Sequence, residues 1–285
     1  MNAQPAICTL LIVGLTAFFS YQGFTRSGFV DRFIFSTGRI LRRREYYRLI
    51  SSACLHANWI HLLFNMFSLY SFGRSVELRF GVMTLLPIYL AGIVGGNLLS
   101  LYLHRNHEYL ALGASGGVCG VVFACIFLLP GGGVYVFPLP IAIPSCLYAI
   151  LFVFVSFVGL RKQIGNIGHD AHLGGAIIGL LTATALHPSI VRQSPFLYAV
   201  VMLLSVGLFA YLYRWPRHLP CQSLLSRWRS LWDGHRSRAR SSREIEDDRR
   251  VDQLLDKASR SGLQSLTELE KRDLEKIANR RRGDR

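Results

Sequence analysis

Apolar runs close to the length of a bilayer crossing recur along this chain from its first residues to about Tyr213. A hydrocarbon core of roughly 30 Å asks for about 17–25 apolar residues per helical crossing. Windows of this kind lie near Ala6–Tyr21, Ile60–Val76, Val82–Leu103, Ser115–Leu129, Ser145–Leu160, Leu173–Leu186 and Pro195–Tyr213. Backbone amides in lipid must be satisfied within their own segment, and the runs are too long and too evenly apolar for barrel strands, so they predict helices. The fold class is therefore all-α: a polytopic membrane helix bundle of seven helices, the seventh within 191–215. Composition excludes an ordinary soluble domain, since 51% of the 285 residues are apolar.

The last quarter of the chain differs in kind. Of 32 Lys and Arg, 19 lie from Arg214 onward, beside 12 of the 17 acidic residues. Residues 216–243 are rich in Arg and Ser, cannot bury enough apolar area to fold, and read as a linker. Over 244–285, Val251, Leu254, Leu255 and Ala258 form a helical stripe, and Gly262 stops that helix. Thr267 and Glu270 then have the spacing of a capping box, which predicts a helical hairpin tail. The six cysteines (Cys8, Cys54, Cys119, Cys125, Cys146, Cys221) show no CxxC spacing and mostly sit in apolar runs, so neither a disulfide nor a metal is assigned to them. The first apolar run lacks a basic leader and a cleavage site and reads as a retained span rather than a signal peptide.

A hydrogen-bonding or ionisable side chain at membrane depth is expensive, and its presence is a functional hypothesis by default. Three groups stand out: His56, His61 and Asn65 around the start of the second span, Ser115 within Gly113-Ala-Ser-Gly-Gly117 at the start of the fourth, and His172 at the start of the sixth. Consecutive spans alternate direction, so the starts of the even-numbered spans share one side of the bilayer. A serine hydroxyl needs a base to take its proton, and a histidine is the usual partner, which gives Ser115 and His172 those roles. Gly113 and Gly116 let a substrate backbone approach and leave N–H groups free near a helix N-terminus to face a developing oxyanion. His61 and Asn65, at i and i+4 on one helical face, add side-chain donors. Each feature alone has a plainer explanation: GxSG serves helix packing, and a lone histidine at a helix end is an interface residue. The pairing is the signal.

These residues resemble the rhomboid family. His56-x4-His61-x3-Asn65 followed by Met66 is similar to its second-helix motif, Gly113-Ala114-Ser115-Gly116 to its GxSG, and Ala171-His172-x2-Gly175-x3-Gly179 to its sixth-helix motif. Tyr47-Arg48 stands at the place of its Trp-Arg pair, and Gly73-x3-Glu77 resembles its second-helix ending. The likeness covers about residues 1–190 and implies a six-helix membrane core there, to which the seventh helix is added. It implies an intramembrane serine endopeptidase that cleaves transmembrane segments with a dyad, Ser115 as nucleophile and His172 as general base and then acid, without a third carboxylate. His61, Asn65 and the Ser115 N–H would form the oxyanion site, with His56 supporting. Asp170 is not expected in a triad, because two residues are separated by about 200° around a helix. Two departures stand out: Cys119 where many relatives carry an aromatic on the catalytic histidine, and Tyr47 for Trp. A short segment after the membrane core, Val251 to Lys257 and Gly262 to Thr267, is also similar to bacterial rhomboids.

Two rival readings remain. One is a catalytically inactive rhomboid-like protein that binds transmembrane helices. The other is a metal enzyme or transporter using His56, His61, His169 and His172, against which stands the spacing of His56 and His61, about 140° apart on a helix. The expected partners are transmembrane protein substrates and the lipid bilayer, with no nucleic acid and no cofactor, and the expected place is a bacterial inner membrane. On orientation two arguments disagree. The family places the site outside the cytoplasm, yet the first, third and fifth loops carry about ten Lys and Arg against about three in the even loops, which the positive-inside rule reads the other way. The first loop, Gln22–Asn58, mixes Phe24, Phe29, Phe33, Ile34 and Phe35 with seven arginines and suits the membrane interface.

Overall fold

The computed structural model describes residues 5–135, 142–162, 168–214, 249–260 and 263–283. Seven long helical runs correspond to the expected spans: α1 (Ile7–Thr25), α2 (59–80), α3 (Val82–Leu103), α4 (Ser115–Leu128), α5 (Ser145–Lys162), α6 (His169–Leu186) and α7 (Pro195–Arg214). Helices α1, α3, α5 and α7 are long and apolar enough to cross a membrane by length and composition. Short α4 is buried along nearly its whole length, so its apolar surface is packed against protein on every side. Helix α6 begins at His169, ahead of the apolar window at Leu173, because His169, Asp170 and His172 are helical although they dilute the apolar average. Helix α2 contains a π-helical turn over Leu69–Gly73, which sequence periodicity does not reveal. Large side chains left bare on the outside, among them Leu15, Phe154 and Leu203, suit a lipid surroundings and not water.

The centre of the bundle is α3, α4 and α6, and these helices meet backbone against backbone. A Cβ placed on Gly92 of α3 would stand 3.0 Å from the Gly116 carbonyl of α4, and one on Gly120 of α4 would stand 3.0 Å from the Gly175 carbonyl and 3.3 Å from Gly179 Cα of α6. A Cβ on Gly175 would run into the Gly116 backbone itself. Lipid tails are as apolar as leucine, so helices in a membrane are held by van der Waals contact, which small residues bring close enough to matter.

Helix α1 is capped from outside itself. Its N-cap, Ala6, offers no side-chain acceptor. Glu77 on α2 takes that role, accepting the N–H of Cys8 at 2.8 Å, the N–H of Thr9 at 2.7 Å and the Thr9 hydroxyl at 2.6 Å. A carboxylate at a helix N-terminus satisfies orphan donors and meets the positive end of the dipole.

The first loop is built as a small ordered layer. Its strand β1 (Phe35–Ser36) pairs antiparallel with β2 (Leu110–Ala111) after α3, and a second ribbon joins β3 (Gly133–Tyr135) to β4 (Ala142–Pro144). These two-residue and three-residue ribbons leave the class all-α. Arg48, 2% exposed, ties the loop together. Its guanidinium meets Glu45 at 2.5 Å and donates to the carbonyls of Asp31 at 3.0 Å and Ile34 at 2.7 Å.

The chain divides into two compact units, Met1–Leu224 and Leu225–Arg285. In the second, a helix over 249–260 (α8) and Glu268–Gly283 (α9) carry the tail. The Glu270 carboxylate accepts the Thr267 N–H at 2.8 Å while the Glu270 N–H donates to the Thr267 hydroxyl at 3.3 Å, a reciprocal capping box. Lys257 on α8 reaches Glu270 at 2.9 Å, and Leu254, Leu266 and Ile277 are buried. The expected linker over 216–243, Gly262 and Cys221 lie outside the described residues, and the other five cysteines are free thiols.

The central seam generates a test. Gly175→Ala should lower the melting temperature of the detergent-solubilised protein, with an overpacking cost of roughly 1–3 kcal/mol. Gly207→Ala on α7, where an added Cβ meets nothing within 4 Å, should leave it unchanged or slightly raised.

Candidate active site

Ser115 is the first residue of α4, behind an N-cap, Ala114, that supplies no side-chain bond. Its N–H is therefore among the donors that no helical carbonyl takes up. Gly113, two residues earlier, has φ +134°, a conformation L side chains rarely adopt. A Cβ there would also lie 2.9 Å from His61 Cε1, 3.2 Å from His61 Nε2 and 3.8 Å from Ser115 Oγ. The imidazole of His61 and the hydroxyl of Ser115 thus border one small space that only a glycine at 113 leaves open.

The backbone of this turn is held by the end of the first loop. The Gly113 N–H donates to the Ser52 carbonyl at 3.0 Å. Asn97 on α3 donates in turn to the Leu49 carbonyl at 2.7 Å and to Ser52 Oγ at 3.2 Å. The Ala114 N–H points at His56 Nε2, 3.4 Å away. Because Ser20 on α1 spends its own proton on the Cys54 carbonyl at 3.0 Å, its oxygen accepts from His56 Nδ1 at 2.9 Å. Both ring nitrogens of His56 are engaged, and the tautomer is fixed with the proton on Nδ1. Burial, reinforced by neighbouring His61, pushes the His56 imidazole down to about 3, so it stays neutral and Nε2 remains an acceptor.

His61 lies in the first turn of α2, whose N-cap Asn58 accepts the His61 N–H at 2.8 Å. One turn on, buried Asn65 donates from Nδ2 to the His61 carbonyl at 3.0 Å, which leaves a second N–H on that nitrogen. His172 stands in the first turn of α6, its N–H bonded to the Gly168 carbonyl at 3.0 Å. A Cβ on Gly116 would sit 3.3 Å from the Ala171 carbonyl, so the residue after Ser115 touches the residue before His172. Asp170 turns elsewhere: its carboxylate meets His104 Nε2 at 3.2 Å and the Tyr109 hydroxyl at 3.4 Å. Among the described residues no three His, Cys, Asp or Glu side chains are grouped to hold a metal ion. Sequence reasoning did not find Ser20, Ser52, Asn97, His104 or Tyr109. Only pairings between residues far apart in the chain give them a role, and no spacing rule reports such pairings.

The His56 contacts set a pH dependence. The unfolded chain lets this imidazole protonate near its ordinary value of about 6.5, while the folded state keeps it neutral down to about 3. Its contribution to stability is therefore whole above about pH 6.5 and is lost progressively as pH falls toward 3. Melting temperature measured from about pH 7 to about pH 4.5 should decline, and His56→Gln should flatten part of that decline.

Comparison with known proteins adds to this geometry. Residues 43–189 match the model of the rhomboid domain. The chain is 29% identical over 201 residues to the mitochondrial RHOMBOID-like protein 12 of Arabidopsis thaliana, covering 64% of this chain and 58% of that one. Rhomboid protease GluP of Bacillus subtilis (strain 168) is 27% identical over 224 residues, 76% of this chain and 42% of that one. Rhomboid protease AarA of Providencia stuartii is 27% identical over 201 residues, 61% and 69% of the two chains. The match with the first two spans about half the length of those relatives. The domain match covers the whole of the serine turn, the second-helix histidines and the start of α6, and on it this multi-pass membrane chain belongs to the rhomboid family.

Proposed function

We propose that the chain is an intramembrane serine endopeptidase that cleaves transmembrane segments with a Ser115–His172 dyad. The observation that carries the reading is the closed seam between α4 and α6, which sets the first turns of the serine helix and the histidine helix side by side, with His61 and Gly113 at the same spot. The protease names of GluP and AarA support it from outside the structure. The bacterial source of both relatives favours a bacterial cell membrane as its place, although mitochondrial relatives also match.

In this reading Ser115 Oγ attacks the scissile carbonyl while His172 takes its proton. The carbonyl oxygen becomes an oxyanion, met by the Ser115 N–H at the positive end of α4, by the His61 ring and by the free N–H of Asn65. His172 then gives the proton to the leaving amine, the C–N bond breaks and an acyl-enzyme remains. Water, deprotonated by the same imidazole, attacks that ester and releases the acid. His56 acts on the backbone of the serine turn and touches no reacting atom.

In proteoliposomes with a single-span substrate, cleavage should fall near a small residue where the helix unwinds easily, and Ser115→Ala and His172→Ala should each abolish it. A fluorophosphonate probe should label the parent protein and not Ser115→Ala. Near-normal turnover in either variant would sink the dyad. His61→Ala or Asn65→Ala should slow the reaction by about 10²–10³ with little change in folding, the usual loss for one oxyanion donor. Deleting residues 214–285 should leave cleavage of the same substrate intact, and a folded but inactive truncated form would tie the tail to the mechanism.

A further inference from the structure

Asp170 is a carboxylate at 2% exposure in the first turn of α6, two residues ahead of His172. A buried charge survives only where fixed partners hold it. Here the partners come chiefly from the end of α3 and the loop that follows it, with Ser100 of α3 and the Ala171 N–H beside them. His104, the C-cap of that helix, places Nε2 3.2 Å from Asp170 Oδ2, at ion-pair distance. The Tyr109 hydroxyl donates to Oδ1 at 3.4 Å. The two partner rings are stacked with centroids 3.8 Å apart and 11° between planes, and His107 Nε2 stands 3.0 Å behind His104 Nδ1.

That loop is itself rigidly moored. The Thr37 hydroxyl donates to the His107 carbonyl at 2.8 Å and accepts the Tyr109 N–H at 2.9 Å. Glu108 accepts from the Ser36 hydroxyl at 2.6 Å and from the Gly38 N–H at 3.1 Å. The carboxylate of Asp170 is therefore clamped to a platform made of the first loop and the connection after α3. The N-cap of its turn, Gly168, contributes no side-chain bond, and the backbone of that turn packs through the Ala171 carbonyl against Gly96 and Gly116.

We propose that Asp170, gripped by His104 and Tyr109, is a positioning residue: it fixes the rotation of the first turn of α6 and so aims His172 at Ser115. The inference rests on the dyad reading above. Residues at i and i+2 lie about 200° apart around a helix, so a clamp on the Asp170 side holds the opposite side, which carries His172, against twisting. The chemistry needs this, since reacting groups displaced by about 1 Å lose on the order of 10² in rate.

The test compares full-length parent, Asp170→Asn, His104→Gln, the double variant, Tyr109→Phe and Ser115→Ala in proteoliposomes. The readings are kcat and KM for a single-span substrate, the rate of fluorophosphonate labelling and the melting temperature. Asp170→Asn and His104→Gln should each lower kcat by about 10- to 100-fold with KM and melting temperature little changed. Labelling should slow in parallel. The double variant should be no worse than the poorer single, because two halves of one clamp are lost only once. Tyr109→Phe, which keeps the ring stack and removes the hydroxyl, should show a smaller fall in kcat alone. A folded Asp170→Asn with the parent's kcat overturns the proposal, as does a double variant whose losses multiply, or a kcat that falls only with the amount of folded protein. If Asp170→Asn fails to fold, His104→Gln and Tyr109→Phe are judged by the same criteria. Residual turnover in Ser115→Ala would defeat the dyad reading itself. Complete loss there beside an unaffected Asp170→Asn would defeat only the positioning role.

Discussion

The rest of the structure depends on the contact between the backbones of α4 and α6. Helices in lipid gain nothing by hiding apolar side chains from one another, so their association rests on proximity, and proximity requires that no side chain stand in the seam. Gly116 and Gly120 on one helix and Gly175 and Gly179 on the other meet that condition, and Gly92 of α3 closes the third side. Ser115 immediately precedes Gly116, and the carbonyl that Gly116 faces belongs to Ala171, the residue before His172. The placement of Ser115 and of the turn that carries His172 is thus inherited from a helix crossing. A site built on packed helices is held more tightly than one carried by loops, and here the rigid part of the fold and the site are the same residues.

A second requirement follows from the first. Close helices leave no room for water, so polar atoms near the seam must find protein partners. The first loop supplies them. Ser52 takes the Gly113 N–H, Asn97 holds Ser52 and Leu49, and His56 joins Ser20 of α1 to the Ala114 N–H. This places the burden of shaping the serine turn on a segment whose composition alone suggests only an interfacial loop. It also bears on Tyr47, which occupies the place of a tryptophan in the family pattern. Its hydroxyl reaches the Arg32 carbonyl at 3.2 Å, and the Arg48 guanidinium lies 5.3 Å from its ring centre, so the loop is moored chiefly by the buried arginine beside it.

The sequence made the helices legible because hydropathy reports lipid contact directly, and it made the candidate residues legible because Ser115, His61, Asn65 and His172 are polar where polarity is costly. The same signal misplaced the start of α6, since the polar residues that make the site conspicuous also lower the local average. The π-turn at Leu69–Gly73 left no mark, one extra residue in a turn being invisible to an apolar count. The Asp170 clamp was invisible for another reason. Helical spacing showed that Asp170 points away from His172, but nothing in the chain's order says that His104 and Tyr109, more than sixty residues earlier, are what it points toward.

Polarity inside a span is a weaker guide at one end of the bundle than at the other. Because helices alternate direction, the starts of α2, α4 and α6 share an end with the finish of α1 and α3, and His56, His61, Ser115, His172, Asp170 and His104 gather there. The opposite end is polar too. There Glu77 closes the start of α1, and Thr84 sits 2.9 Å from His187 Nε2 while its hydroxyl proton goes to the Phe80 carbonyl. Glu77 is as costly a residue as any at the first end, yet it accepts three bonds from the helix start it caps. What distinguishes the first end is an acceptor and donor set that the fold leaves incompletely used: a helix-first N–H at Ser115, a hydroxyl beside an imidazole, and a glycine whose missing side chain keeps the space between them open. Buried polar groups that only hold a fold together saturate one another, whereas groups that meet a substrate must keep some capacity in reserve. That reserve, more than the cost of polarity itself, sets the serine end apart as the candidate site.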